Sequence, residues 1–157
     1  MTTSSEVAVR RSVTVPLVPE RAFRLFAGRM SSWWPPEHHI GDAELADVVI
    51  ESHNGGRWYE VGTDGSQCQW GMVKRWDPPG RLVLVWQLSA DWRYDPALET
   101  EVEVRFIAVG GETRVELEHR GLDRYGEAAE RMRLLFEGPA AWQGTLDRYA
   151  ASSHLDR

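Results

Sequence analysis

The sequence predicts an α+β domain in which a curved antiparallel sheet wraps around one long C-terminal helix. Alternating apolar and polar runs dominate the chain up to Arg120, and the turns between them are short and of hairpin type, which makes the sheet antiparallel. Beyond Gly126 the apolar residues instead recur every three or four positions, the period of a helix with one buried face. At 157 residues there is room for a single domain with a core of its own, and none for a second.

The first strand carries Val7, Val9, Val13 and Val15, read with a slip of phase around Arg10–Ser12 that marks a bulge. Pro16 and Pro19 end it, and Pro19-Glu20 opens a short helix with Ala22, Phe23, Phe26 and Met30 on one face, ending near Gly28 or a little later. The segment Ser31 to His39 contains Pro35-Pro36, which forbids a regular element and fixes an extended bend. Strands over 46–52 and 57–61 follow, joined through Asn54-Gly55-Gly56. Turns at 63–66 and 77–80 lead into strands over 67–76 and 81–88. A loop over 89–98 precedes the last two strands, 100–109 and 113–120, which meet at Gly110-Gly111. Ala128, Met132, Leu135, Pro139, Trp142, Leu146 and Tyr149 then form one apolar seam, and Gly138-Pro139 bends the helix without breaking its phase. The domain is therefore expected over residues 7–151, with a frayed N-terminus at 1–6 and a tail at 152–157. A sheet curling around a helix leaves a gap between them, and that gap is where a site belongs.

Composition narrows the function. A chain with 42% hydrophobic and 27% charged residues is globular. The net charge of −6 argues against nucleic acid as a partner. Cys68 is the single cysteine, so neither a disulfide framework nor a cysteine metal cluster exists. There is no apolar run of signal-peptide or membrane-spanning length, and a cytoplasmic, reduced protein without a membrane partner is expected. No Gly-rich phosphate loop and no serine or cysteine nucleophile signature is present, so no cofactor is expected.

Several motifs together carry a resemblance: Trp33-Trp34-Pro35, Gly56-Arg57-Trp58-Tyr59-Glu60, Trp70-Gly71-Met72-Val73, Trp76-Asp77-Pro78-Pro79 with Arg81-Leu82, Thr100 to Phe106, and Glu118-His119-Arg120-Gly121-Leu122. As a set, over roughly residues 7–150, they resemble the family homologous to the activator of the heat-shock-protein-ninety ATPase, within the START-like, helix-grip (SRPBCC) superfamily. One departure is that Ala141-Trp142 stands where many members have Gly-Trp. The resemblance implies an apolar cavity between sheet and helix, of the kind that holds lipids or polyketides elsewhere in the superfamily. It implies no catalytic residue set.

Strict alternation puts Val115, Leu117 and His119 on the helix-facing side of their strand, beside Val102, Val104 and Phe106 of the next. An inward His119 either serves a ligand, orienting its carbonyl or carboxylate or acting as an acid or base, or is a core histidine satisfied by a backbone carbonyl or hydroxyl, or sits where the strand end opens to solvent. On the first reading His119→Leu leaves folding intact and changes ligand choice. Trp70, which shares parity with Cys68 and Met72, Trp86, Phe106, Leu117 and Trp142 are expected to line the cavity or pack the core, and Trp34 to stiffen its mouth. Glu60 is either a pocket carboxylate, which would bind a cation or have a raised pKa, or a solvated residue at a strand end. His38, His39, Asp42, Glu44 and His53 lack the spacing of a metal site.

The expected function is binding of a hydrophobic or amphipathic small molecule by a monomer or homodimer. A small cyclase or hydrolase using the same cavity is the first alternative, and would need two titratable groups converging on one point. A co-chaperone-like interaction domain is the second, and would need a closed core with a large exposed apolar patch.

Overall fold

Each short Gly-, Asn- or Asp-rich turn reverses the chain onto its neighbour, and the strands consequently stack in nearly sequential order. The computed structural model describes residues 8–156. The strands are β1 (Val9–Val15), β2 (Leu45–Ile50), β3 (Arg57–Gly62), β4 (Gln67–Asp77), β5 (Arg81–Trp86), β6 (Thr100–Val109) and β7 (Glu112–Arg120). They form a 7-stranded antiparallel sheet in the order β1-β7-β6-β5-β4-β3-β2. β1, separated in sequence by the whole meander, pairs with the last strand rather than with β2. The expected frayed residues, and Val7 with them, lie outside the described residues.

The bulges are not where the sequence places one. β1 runs in unbroken register from Val9↔His119 to Val15↔Thr113. Arg11 simply occupies the parity of the valines, and its guanidinium donates to the Glu137 carbonyl at 2.8 Å. The register shifts instead in β2, between β3 and β4, and between β4 and β5. Along β4 the shifts change which residues face inward. Trp70 and Val73 join the core while Met72, the expected companion of Trp70, is only half-buried.

Between β1 and β2 the chain forms α1 (Pro19–Phe23), continues as a π-helical turn over Arg24–Gly28 and ends in a 3-10 turn at Met30–Ser32. This unit places Phe23, Phe26 and Trp33 on the concave face of the sheet, where Phe23 and Phe26 meet Phe106 at centroid distances of 5.1 and 5.8 Å. After β7, 3-10 turns over Leu122–Ala128 lead into α2 (Ala129–Glu137), a π-helical turn (Pro139–Gln143) and α3 (Gly144–Asp156). α3 continues past residue 151, into the segment set apart above as a tail, and Ser153 is buried.

The C-terminal seam does not keep one phase. Gly138 is extended (φ −64°, ψ 155°) and Ala141 is non-helical (φ −93°, ψ −124°), so two helices meet at an angle. In α2 the buried residues are Met132 and Phe136, and Leu135 is 44% exposed. Trp142, Leu146 and Tyr149 remain buried, as the seam predicts. On the other face of the sheet, acids and arginines alternate across β5, β6 and β7. There Arg120 bridges Glu101, Glu103 and Glu118. Burial pushes the Glu103 carboxyl up, but hydrogen bonds from Arg120, Arg81 and Arg105 outweigh it and hold the group at about 2.

Candidate functional site

Where the ends of β4 and β5 face the break between α2 and α3, packing is incomplete and a cleft of about 490 Å³ opens. Its walls are indoles. Trp34 comes from the segment after the 3-10 turn, Trp70 from β4, Trp86 from the end of β5, and Trp142 from the π-helical turn. Trp34 lies 5.1 Å from Trp70 and 6.1 Å from Trp142 between ring centroids, and Trp86 lies 5.6 Å from Trp142. Leu88, Phe136 and residues 138–141 add to the lining.

A bulge aims Trp70. Trp58 pairs with Gly71 and Tyr59 with Gln69, leaving Trp70 as the extra residue on β4. The kink presses the β4 backbone against β5, and a Cβ at residue 71 would sit 1.7 Å from the Val85 carbonyl oxygen. Only glycine fits there.

His119 lies inside, as alternation requires, and is wholly buried. Both of its nitrogens face protein. Trp142 Nε1 donates to Nδ1 at 3.1 Å, and Nε2 lies 2.9 Å from Thr100 Oγ1. The Thr100 hydroxyl spends its own proton on the Trp86 carbonyl at 3.0 Å, so Nε2 carries the hydrogen and donates to it. Burial holds the His119 imidazole down at about 3. The ring fixes Trp142 against the sheet and has no nitrogen left for a ligand. This is the core-histidine reading.

Glu60 is not solvated at a strand end. It is 1% exposed and sits behind the cleft wall, where no cation is needed. Oε1 accepts from Ile40 N at 2.7 Å and Trp70 Nε1 at 2.8 Å, and Oε2 accepts from Gly41 N at 3.1 Å. The carboxylate thus ties the loop after Pro35-Pro36 to β3 and to a wall tryptophan. Trp34 anchors the same loop by donating from Nε1 to the His38 carbonyl at 2.9 Å.

Of the residues singled out in the sequence, Trp34, Trp70, Trp86 and Trp142 come together around the cleft. Phe106 and Leu117 are not in its lining, and Phe23 and Phe26 of the first helical unit pack against Phe106. His38, His39 and Ile40 do line the cleft, and the sequence reading missed them. Their signal was Pro35-Pro36, which stiffens the segment that carries them, whereas their histidines were weighed only as metal ligands. Among the described residues no group of three or more His, Cys, Asp or Glu side chains could hold a metal ion. Behind Trp86, burial pushes the Tyr125 phenol up, against a weaker downward pull from the Trp86 indole.

A sheet curled around a C-terminal helix, with an aromatic cleft at their junction, defines a helix-grip domain of the SRPBCC type. Residues 17–150 match the family described as Activator of Hsp90 ATPase homolog 1-like protein, and the chain belongs to that family. Among solved structures it is similar to an anthrahydroquino-gama-pyrone synthase, Txn09, complexed with SUM. The identity there is 38% with TM-score 0.65, covering 92% of this chain and 95% of that one. It is similar also to CalC, a self-sacrificing resistance protein from Micromonospora echinospora, at 31% identity and TM-score 0.72, covering 95% of each chain. The AHSA1 protein from Silicibacter pomeroyi, 23% identical with TM-score 0.64 over 96% of this chain and 99% of that one, shares the fold. No curated protein matches the chain. No helix of the described residues is long and apolar enough to cross a membrane.

Proposed function

We propose that this protein binds a flat hydrophobic or amphipathic small molecule between the indoles of Trp34, Trp70, Trp86 and Trp142. The observation that carries this reading is the cleft of about 490 Å³, a volume suited to a ligand of a few fused rings. Indole faces supply dispersion and stacking without a defined polar partner, which favours aromatic occupants over alkyl chains. A second reading, an enzyme acting on a polycyclic substrate in the same cleft, draws support from the 38% identity to a protein named as a pyrone synthase. The co-chaperone reading gains nothing from a core that opens into an aromatic cleft.

The test is a fluorescence titration with phenanthrene, read alongside melting temperature. Binding quenches tryptophan emission, and ligand at 100 times its Kd stabilises the protein by about 2.7 kcal/mol. Ala140→Trp, on the cleft lining, should weaken binding by about tenfold or more while leaving the melting temperature of the free protein in place. Absence of quenching and of any thermal shift would refute the reading.

A further inference from the structure

Three of the four indoles that wall the cleft have their N–H groups committed, and the fourth, Trp86 Nε1, is buried without a partner and can only donate. Trp34 Nε1 is committed to the His38 carbonyl, Trp70 Nε1 to Glu60 and Trp142 Nε1 to His119. An indole cannot accept from a ligand's hydroxyl, and on the loop that closes one side His39 offers an acceptor. Its Nδ1 lies 2.9 Å from the Gly41 carbonyl oxygen and 3.9 Å from Glu60 Oε2. A carbonyl only accepts, so Nδ1 carries the hydrogen and donates to it. In the neutral ring Nε2 is then an acceptor, and among the described residues nothing donates to it.

The tautomer is held in place. Glu60 accepts from the backbone N–H groups of Ile40 and Gly41, the two residues after His39, and from Trp70. The loop cannot shift without exposing a buried carboxylate, and flipping the ring would turn Nδ1–H away from both the carbonyl and the acid. His38 is placed differently, with its ring packed against the edge of Trp34 at a centroid distance of 6.4 Å.

Resting on the cleft being a binding site, we propose that its ligand is a hydroxylated aromatic whose O–H donates to His39 Nε2, with Glu60 as the positioning residue behind the imidazole. A walled site rich in π-faces, with a fixed acceptor on its rim, discriminates for a phenol or enol over its ether.

The experiment compares phenanthrol with methoxyphenanthrene, which keeps the rings and loses the donor, by fluorescence titration at about pH 7.5. Wild-type protein should bind the alcohol about five- to tenfold more tightly than the ether. His39→Phe should bring the two within about twofold in the folded protein, and His38→Phe should keep the preference. Equal binding of both probes by the wild type, or a preference that survives His39→Phe, overturns the assignment and leaves the apolar-cleft reading standing. A preference lost in His38→Phe but kept in His39→Phe gives the acceptor to the neighbour and also overturns it. If neither probe binds, both readings fall.

Discussion

His119 is neutral because nothing around it would reward a charge. Its neighbours are the rings of Trp86, Phe136 and Trp142, with centroids 5.3, 4.5 and 6.0 Å away, and one hydroxyl. The unfolded chain binds a proton below about pH 6.5 and the folded chain does not until about 3, so acid favours unfolding. The stability due to the neutral ring is complete above about pH 6.5 and is lost as pH falls, by about 2 kcal/mol between pH 6.5 and 5. His119→Leu leaves the Trp142 N–H without its acceptor and should cost about 1–3 kcal/mol at neutral pH. That outcome differs from the intact folding expected on the ligand reading. The variant's deficit should shrink by about 2 kcal/mol at pH 5, because it no longer has an imidazole to protonate. Urea unfolding of both proteins at the two pH values checks the cycle.

Strands here are specified by alternation, but their bulges are specified by contact. Gly71 shows why. The extra residue on β4 brings two backbones together at a distance that no side chain tolerates, and the neighbouring Trp70 is turned into the cleft wall by the same kink. Gly71→Ala drives a Cβ into the Val85 carbonyl, and neither backbone can yield without breaking the β4–β5 ladder. It should destabilise the protein by about 3 kcal/mol or more and weaken phenanthrene binding in the fraction that still folds. A loss below about 1 kcal/mol in urea unfolding would show that the bulge relaxes.

At the scale of the molecule, the sheet is closed onto its helices by a few long-range polar ties set in a large aromatic core. Tyr149 of α3 donates to the Ala22 carbonyl at 2.8 Å, 127 residues away in sequence. Arg148 donates to the Trp33 carbonyl at 3.0 Å, and Arg11 to that of Glu137. Together these hold the C-terminal helices against the first helical unit and β1, while the cleft stays open near Trp142. Tyr149→Phe removes one tie while keeping the ring, and should cost about 1 kcal/mol in urea unfolding. A cost well above that would mean the hydroxyl anchors more than one carbonyl.

The sequence by itself determined the seven strands, their antiparallel sense, the C-terminal helical segment and the inward placement of Trp86, Trp142 and His119. Those features follow from local period and turn chemistry, which act over a few residues. It could not determine that β1 joins β7, because that pairing depends on the shape of the completed sheet. Nor could it place the break between α2 and α3, where Gly138 and Ala141 shift the seam from Leu135 to Phe136. The seam spacing is regular on paper, but the sheet beneath offers room for one side chain and not the other. The site followed the same division. Its indoles were legible as buried aromatics, whereas whether a buried aromatic faces packing or space depends on what the rest of the chain brings opposite it. Only the tertiary structure showed that α1 packs against Phe106, that His119 is spent on Thr100 and Trp142, and that Glu60 holds His39 at the rim. Hydrogen bonds between residues far apart in sequence decide which polar groups remain free, and no local pattern encodes them.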